Sequence, residues 1–225
     1  LIPKIVIKTD NAKEVQDIIE LSNSMNLSIT FRAAGTSLSG QAISDSILIV
    51  TSRNFSNFKI APDASFISLQ PALTGAQVNG LLAKYSKKIG PDPASINAAM
   101  IGGIAANNAS GMCCGISQNS YKTLKSMKLI FADGAKLDTG CQESKDAFRK
   151  THGDFLKELK NFSNDTKNNE ELRAKIERKF KIKNTCGYSL NALIDFEDEF
   201  EILEHLIIGS EGTLAFIEEI TYYTV

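Results

Sequence analysis

The order of predicted strands and helices in this 225-residue chain indicates an α+β fold. An apolar run at 5–7, an amphipathic helix after it, and apolar runs at 27–31 and 47–50 predict a β-α-β unit. Two further runs, 125–131 and 136–138, flank an Asp-Gly turn, which is typical of an antiparallel hairpin. A β-α-β unit and a hairpin in one chain, together with separate helices, characterise the α+β class.

The remaining elements of the first lobe follow from caps, stripes and turns. Asp10 or Asn11 can cap the first helix. Four apolar side chains at helical spacing are predicted to face inward: Val15, Ile18, Leu21 and Met25. Strands are predicted at 58–60 and 66–69 on either side of a Pro-Asp turn, and Pro71 ends the lobe.

After Pro71 the chain continues with a helix capped by Thr74, and over 141–183 it becomes helical and highly charged. A break at 164–166 predicts a helical hairpin there. Two apolar stripes are predicted to pack on the protein body: Phe148, Phe155, Leu159 and Phe162, then Leu172, Ile176 and Phe180. This segment is interpreted as a solvated excursion, with docking to a partner or a membrane surface as the alternative. The last predicted elements are a helix and two strands, at 200–207, 213–217 and 220–224.

Composition argues against several functional classes. With 25 basic and 26 acidic residues the net charge is −1, whereas a nucleic-acid-binding protein normally carries a basic excess. The two histidines, His152 and His205, lie far apart and are interpreted as structural. No apolar stretch approaches the roughly 20 residues of a membrane span, and no signal peptide opens the chain.

The four cysteines do not form a recognisable framework. Cys113 and Cys114 are adjacent, while Cys141 and Cys186 are solitary, which fits neither a disulfide scaffold nor a zinc or iron–sulfur site. Free thiols are typical of a reducing compartment, so we expect the protein in the cytosol or at the cytosolic face of a membrane.

The most informative segment runs from Arg32 to Gln41 and reads Arg-Ala-Ala-Gly-Thr-Ser-Leu-Ser-Gly-Gln. A turn rich in Gly, Ser and Thr between two strands exposes many backbone N–H groups, and such a concavity binds anions without a lysine. Gly35 and Gly40 have Walker-loop spacing, but Gln41-Ala42 stands where Lys-Ser/Thr is required. The Gly-x-Gly-x-x-Gly dinucleotide fingerprint is missing too. The loop is interpreted as a pyrophosphate-binding turn, and the alternative is a Gly/Ser surface turn.

A second unusual stretch, 90–111, suits a close approach of backbone or ligand. Prolines 91 and 93 keep its first part from becoming helical. From 100 onward nearly every side chain is small, and the Gly102-Gly103 pair lets a backbone or a flat ligand come very near. The alternatives are tight helix packing and a flexible linker, and the apolar residues at 100, 101 and 104 argue against a linker.

Five segments in order resemble the flavin-binding domain of the FAD-linked oxidases, which have the vanillyl-alcohol-oxidase or PCMH-type fold. They span nearly the whole chain: 32–41, 90–95, 101–111, 184–188 and 209–214. Within this family, three stretches look most like the D-lactate dehydrogenase branch: 35–41, 92–95 and 111–115. Glycolate oxidase and D-2-hydroxyglutarate dehydrogenase are related to that branch.

The resemblance implies two α+β subdomains, residues 1–71 and 72–225, that cradle an extended FAD, with 141–183 as a helical insertion. Loop amides would hold the pyrophosphate, and Arg32 would add charge or else cap its strand. The implied cofactor-binding residues are Arg32, Ala34, Gly35, Thr36, Ser37, Leu38, Ser39, Gly40, Gln41, Pro91, Asp92, Ile101, Gly102, Gly103, Asn107, Asn108, Gly111, Gly209, Ser210, Gly212 and Ile217. Because neither histidine falls within these motifs, we expect non-covalent FAD. Tyr188 matches a Gly-Tyr element near the flavin ring, and packing in the core is the alternative.

The implied activity is FAD-dependent oxidation of a D-2-hydroxy acid, with D-lactate the first candidate, to the 2-oxo acid. Hydride would pass from the α-carbon to the flavin, and electrons would leave to a quinone or an iron–sulfur acceptor. The chain offers no cluster for the substrate's proton and carboxylate, so no catalytic residue or metal ligand is assigned and a substrate domain is expected beyond Val225. A non-catalytic, flavin-carrying electron-transfer subunit is the alternative, and a simple nucleotide-binding module is the third hypothesis. Peripheral association with the cytoplasmic face of a membrane is a further expectation.

Overall fold

A computed structural model describes residues 1–51, 53–184 and 187–225. The strands are β1 (Ile5–Thr9), β2 (Ile29–Arg32), β3 (Ile47–Thr51), β4 (Phe58–Ile60), β5 (Phe66–Leu69), β6 (Leu124–Phe131), β7 (Lys136–Asp138) and β8 (Ala215–Tyr223). The helices are α1 (Ala12–Ser24), α2 (Gly75–Leu82), α3 (Ile101–Ala106), α4 (Ser120–Thr123), α5 (Gln142–Asn168), α6 (Glu170–Phe180), α7 (Ala192–Asp195) and α8 (Glu199–Ile207). A 3₁₀ turn, Ala83–Tyr85, extends α2.

The first sheet is parallel, with β3 between β1 and β2. Helix α1 joins β1 to β2, and Asn11 caps it by accepting a 3.0 Å hydrogen bond from the Glu14 amide. These elements confirm the predicted β-α-β unit.

The buried face of α1 differs from the predicted stripe. Val15, Ile19 and Ser22 are buried, whereas Leu21 and Met25 are 59% and 58% exposed. The predicted set and the observed set of residues both have the spacing of one helix face. The face through Ile19 is the buried one because α1 packs in one cluster with Ile130 of β6 and Phe216 of β8.

The second sheet is antiparallel and has the order β4-β5-β8-β6-β7. Its central strand, β8, is continuous over Ala215–Tyr223, so the prediction of two separate strands at 213–217 and 220–224 was wrong. The pairing of β6 with β8 is irregular between Lys128 and Leu129, which accounts for the interruption of the apolar pattern along β8. Because β4 and β5 bond into this sheet, the chain changes sheets between 51 and 58. The division into 1–71 and 72–225 stays a prediction.

The charged segment forms the long helix α5, bent at His152, and the shorter helix α6. The break lies at Asn169, which caps α6 through the Leu172 amide at 3.0 Å, and not at the predicted 164–166. Helix α5 buries Phe148, Leu156, Ser163 and Thr166. The predicted contact residues Phe155 and Phe162 are instead 43% and 58% exposed. Phe148 and Leu159 of the predicted stripe do pack on the core, so one narrow face of the hairpin rests on the body and is rotated from the expected face.

Candidate cofactor-binding site

A trough runs between the two sheets and is made of adjoining cavities that share Phe31 and Glu211. Its walls are the anion loop (residues 33–46, after β2), helix α3, and the 209–212 turn before β8. The two larger cavities measure about 310 and 340 Å³, within the range of small-molecule sites, roughly 300–1,000 Å³. Most of the predicted cofactor residues line the trough: Arg32, Ala34, Gly35, Thr36, Ser37, Leu38, Ser39, Gln41, Gly102, Gly103, Asn107, Ser210, Gly212 and Ile217.

The anion loop presents free backbone donors. In the described part of the chain, the amides of Gly35, Thr36, Ser37 and Gly40 have no hydrogen-bond acceptor. Gly35 has a left-handed backbone with φ +67°, and a Cβ there would lie 2.6 Å from the Arg32 Nε. The Arg32 guanidinium is therefore packed against the loop, and no carboxylate in 1–51, 53–184 or 187–225 forms an ion pair with it. Free amides beside an unpaired guanidinium are suited to a phosphate group.

Helix α3 is fixed to the body at its first turn. The Ile101 amide donates to the Leu73 carbonyl at 2.8 Å, and the Gly102 amide donates to the Pro71 carbonyl at 3.1 Å. A Cβ on Gly102 would lie 2.7 Å from the Pro71 Cβ, so that glycine is needed for packing within the protein. At Gly103 the nearest atom to a Cβ would be 3.8 Å away, which leaves this backbone open to the trough.

Several buried polar atoms on the trough wall have no partner among the described residues. They are Gln41 Oε1, Thr51 Oγ1 and Ser210 Oγ. Because an unpaired buried polar group is unfavourable, these atoms fit a ligand that carries its own donors and acceptors. Together with the anion loop and the small-residue walls, they fit the hydroxyls and diphosphate of FAD.

The other predicted residues lie outside the trough lining and stay predictions: Gly40, Pro91, Asp92, Ile101, Asn108, Gly111 and Gly209. Gly111 packs on Asp92, since a Cβ there would fall 1.7 Å from the Asp92 carbonyl oxygen. Asn108 accepts from the Tyr121 amide at 3.4 Å. Tyr188 Oη lies 2.9 Å from Thr213 Oγ1, while positions 185 and 186, Cys186 included, lie outside the described residues.

The sequence interpretation missed Glu211. Its carboxylate accepts hydrogen bonds from Gln41 Nε2 at 2.7 Å and from Asn107 Nδ2 at 2.5 Å. These partners lie 170 and 104 residues away along the chain, so local spacing carries no signal for the contact. Among the described residues that line the trough, Arg32 and Glu211 are the ionisable ones.

Strongly perturbed carboxyl and imidazole groups lie elsewhere, on α8. Burial raises the pKa of Glu204 to about 7 and lowers the pKa of His205 to about 4. The described residues contain no cluster of three or more His, Cys, Asp or Glu arranged for a metal ion. They also contain no helix with the length and apolar character needed to cross a bilayer.

Comparison with known proteins identifies the family of the chain. Residues 3–140 match the family described as the FAD binding domain. The chain belongs to this family. The chain has the α+β, PCMH-type fold. Among solved structures, 6-hydroxy-D-nicotine oxidase from Arthrobacter nicotinovorans shares this fold. The two structures match over 99% of this chain and 36% of the oxidase chain, with a TM-score of 0.62 and a sequence identity of 12%.

Curated relatives carry the names expected from the resemblance. D-2-hydroxyglutarate dehydrogenase of Haemophilus influenzae is 27% identical over 219 residues, which is 92% of this chain and 21% of that protein. D-lactate dehydrogenase of Archaeoglobus fulgidus is 24% identical over 222 residues, 96% of this chain and 38% of that protein. Glycolate oxidase subunit GlcD of Escherichia coli K12 is 27% identical over 140 residues, 61% of this chain and 28% of that protein. The chain thus spans between a fifth and two fifths of these relatives.

Proposed function

We propose that this chain is the flavin-binding part of an FAD-dependent dehydrogenase that oxidises a D-2-hydroxy acid to the 2-oxo acid. D-lactate is the first candidate substrate. The trough supports the cofactor half of this proposal, above all the unpaired amides of the anion loop beside Arg32. The names of the relatives support the substrate class.

Each wall has a role in the proposed binding. Amides of Gly35, Thr36 and Ser37 would hold the diphosphate, and Arg32 would balance part of its charge. The open backbone at Gly103 would lie against the extended cofactor. Ser210 Oγ and Thr51 Oγ1 would bond cofactor hydroxyls. No histidine lines the trough among the described residues, which supports non-covalent binding.

The flavin, when bound, supplies the hydride-accepting chemistry. This chain's part is to bind and orient it. The groups that take the substrate's hydroxyl proton and hold its carboxylate are proposed to lie outside these 225 residues, because only Arg32 and Glu211 among the described trough residues are ionisable. We further propose that the electrons leave to a quinone or an iron–sulfur acceptor. The free thiols of Cys113, Cys114 and Cys141 support a proposed place in the cytosol or at the cytoplasmic face of a membrane.

The decisive experiment has two stages. First, the purified chain is stripped of ligand and titrated with FAD, and quenching of flavin fluorescence should report stoichiometric binding. Second, the flavin of the full-length protein is exposed without oxygen to D-lactate, D-2-hydroxyglutarate and glycolate, with L-lactate as the control. Bleaching by a D-hydroxy acid and not by L-lactate is expected. Bound FAD that no hydroxy acid bleaches would instead indicate an electron-transfer subunit.

A further inference from the structure

Glu211 has an unusual backbone conformation for a residue with a side chain. Glu211 has φ +56°, a left-handed conformation that is unfavourable for a residue with a Cβ, and it lies between Gly209 and Gly212, which are also left-handed. Glycine would occupy position 211 with less strain. A carboxylate is thus held there despite its backbone, which indicates a role for the side chain.

The turn that carries Glu211 is fixed to the end of α3. The Glu211 amide donates to the Ala106 carbonyl at 2.8 Å, and the Gly209 amide donates to the Ala105 carbonyl at 3.2 Å. The carboxylate is therefore presented from a fixed position, with one oxygen bound to Asn107 at the end of α3 and the other to Gln41 in the anion loop.

The contact with Gln41 is the one polar link from the anion loop to the opposite wall in the part of the chain that the structure describes. The loop's other hydrogen bonds stay within it or reach the first sheet, as with the Ile43 amide to Gly40 and the Lys4 amide to Ser46.

We propose that Glu211 is a positioning residue for the cofactor: its carboxylate ties the anion loop to α3, so that the loop amides and the α3 wall are held at a fixed spacing before a ligand arrives. This inference depends on the proposed flavin function. The role is one of geometry, because a negative charge beside a diphosphate would by itself oppose binding. Gln41 Oε1 is buried and has no partner among the described residues, so it can accept from an amide at position 211. The Glu211→Gln variant can therefore keep the tie without the charge.

The test compares Glu211→Gly, Glu211→Ala and Glu211→Gln in the ligand-free chain and in FAD titrations. Glu211→Gly removes the carboxylate and also relieves the left-handed backbone, so it guards against a variant that merely fails to fold. Loss of a hydrogen-bonded charge should raise the FAD dissociation constant roughly tenfold or more in the Gly and Ala variants. In Glu211→Gln the dissociation constant should stay within about threefold of the wild type.

A double-mutant cycle with Gln41→Ala tests the contact in the absence of FAD. The melting temperature of the ligand-free chain should fall in Gln41→Ala and in Glu211→Ala, and the double variant should melt no lower than the worse single variant. Additive losses would overturn the inference, as would FAD affinity unchanged in Glu211→Gly or lost equally in Glu211→Gln. If the wild type takes up no FAD, the proposed function fails, while the melting cycle still decides whether Glu211 ties the loop.

Discussion

Gly35 and Arg32 define the anion site at the scale of single residues. Gly35→Ala would place a Cβ 2.6 Å from the Arg32 Nε at a position whose φ is +67°. We expect this variant to displace the guanidinium and distort the free loop. FAD binding should weaken about tenfold, since returning the loop to its left-handed conformation on binding costs about 1–2 kcal/mol. Flavin fluorescence titration measures the effect.

A matched control is available in helix α2. Gly80 is exposed, and a Cβ there would meet nothing within 4 Å. Gly80→Ala should raise stability by up to about 1 kcal/mol through helix propensity and leave FAD affinity unchanged. Equal FAD affinity in Gly35→Ala and Gly80→Ala would argue against the anion loop as the phosphate site.

Glu204 gives a pH-dependent prediction. Its pKa rises from 4.5 to about 7, chiefly through burial, which the Thr139 hydrogen bond and Lys145 partly offset. The folded chain therefore holds a proton that the unfolded chain has lost, and stability declines as pH rises from 4.5 to about 7. Glu204→Gln removes this decline, so its stability advantage should be near zero at pH 4.5 and approach a limit of about 3 kcal/mol above pH 7.

Chemical denaturation from pH 4.5 to 8 measures the stability difference between Glu204→Gln and the wild type. The titration of His205 cancels from this difference because both proteins contain that residue. The exposed Glu201 on the same helix provides the control, Glu201→Gln, with a change within about 0.5 kcal/mol. A Glu204→Gln advantage that does not grow with pH would show that Glu204 is ionised in the fold at no cost.

At the scale of elements, the periodicity of apolar residues predicted where helices and strands lie but not which face of a helix becomes buried. Along α1, spacing fits Leu21 as well as Ile19, and only the second sheet, brought there by long-range pairing, selects Ile19. Likewise, the sequence identified 209–214 only as one of the segments that resemble the flavin-binding domain. The contact of this segment with Gln41 depends on two sheets meeting, which local sequence does not encode.

Helix α5 allows a direct test of the observed face. Leu156 is 4% exposed and Phe155 is 43% exposed, although the sequence pattern favoured Phe155. Leu156→Ala should reduce the free energy of unfolding by about 2–5 kcal/mol, because it leaves a cavity under the helix. Phe155→Ala should cost about 1 kcal/mol or less. Urea denaturation of both variants distinguishes the faces, and a larger loss for Phe155→Ala would contradict the described packing.

At the scale of the whole molecule, the trough joins parts that fold into different sheets. The anion loop extends from the parallel sheet, while Ile217 belongs to the central strand of the antiparallel sheet. A ligand that contacts both should stabilise the chain as one unit. Binding of FAD at a free concentration 100 times its dissociation constant contributes about 2.7 kcal/mol.

For a chain of 225 residues, we expect that contribution to raise the melting temperature by roughly 5–10 °C. FMN, which lacks the adenosine and the second phosphate, should give a smaller shift at equal concentration because it cannot reach both ends of the trough. Arg32→Ala should reduce the FAD shift more than the FMN shift if the guanidinium faces the diphosphate. Differential scanning fluorimetry measures all four combinations. Equal shifts for FAD and FMN in the wild type would mean that the anion loop does not recognise a diphosphate, even if the protein binds flavin.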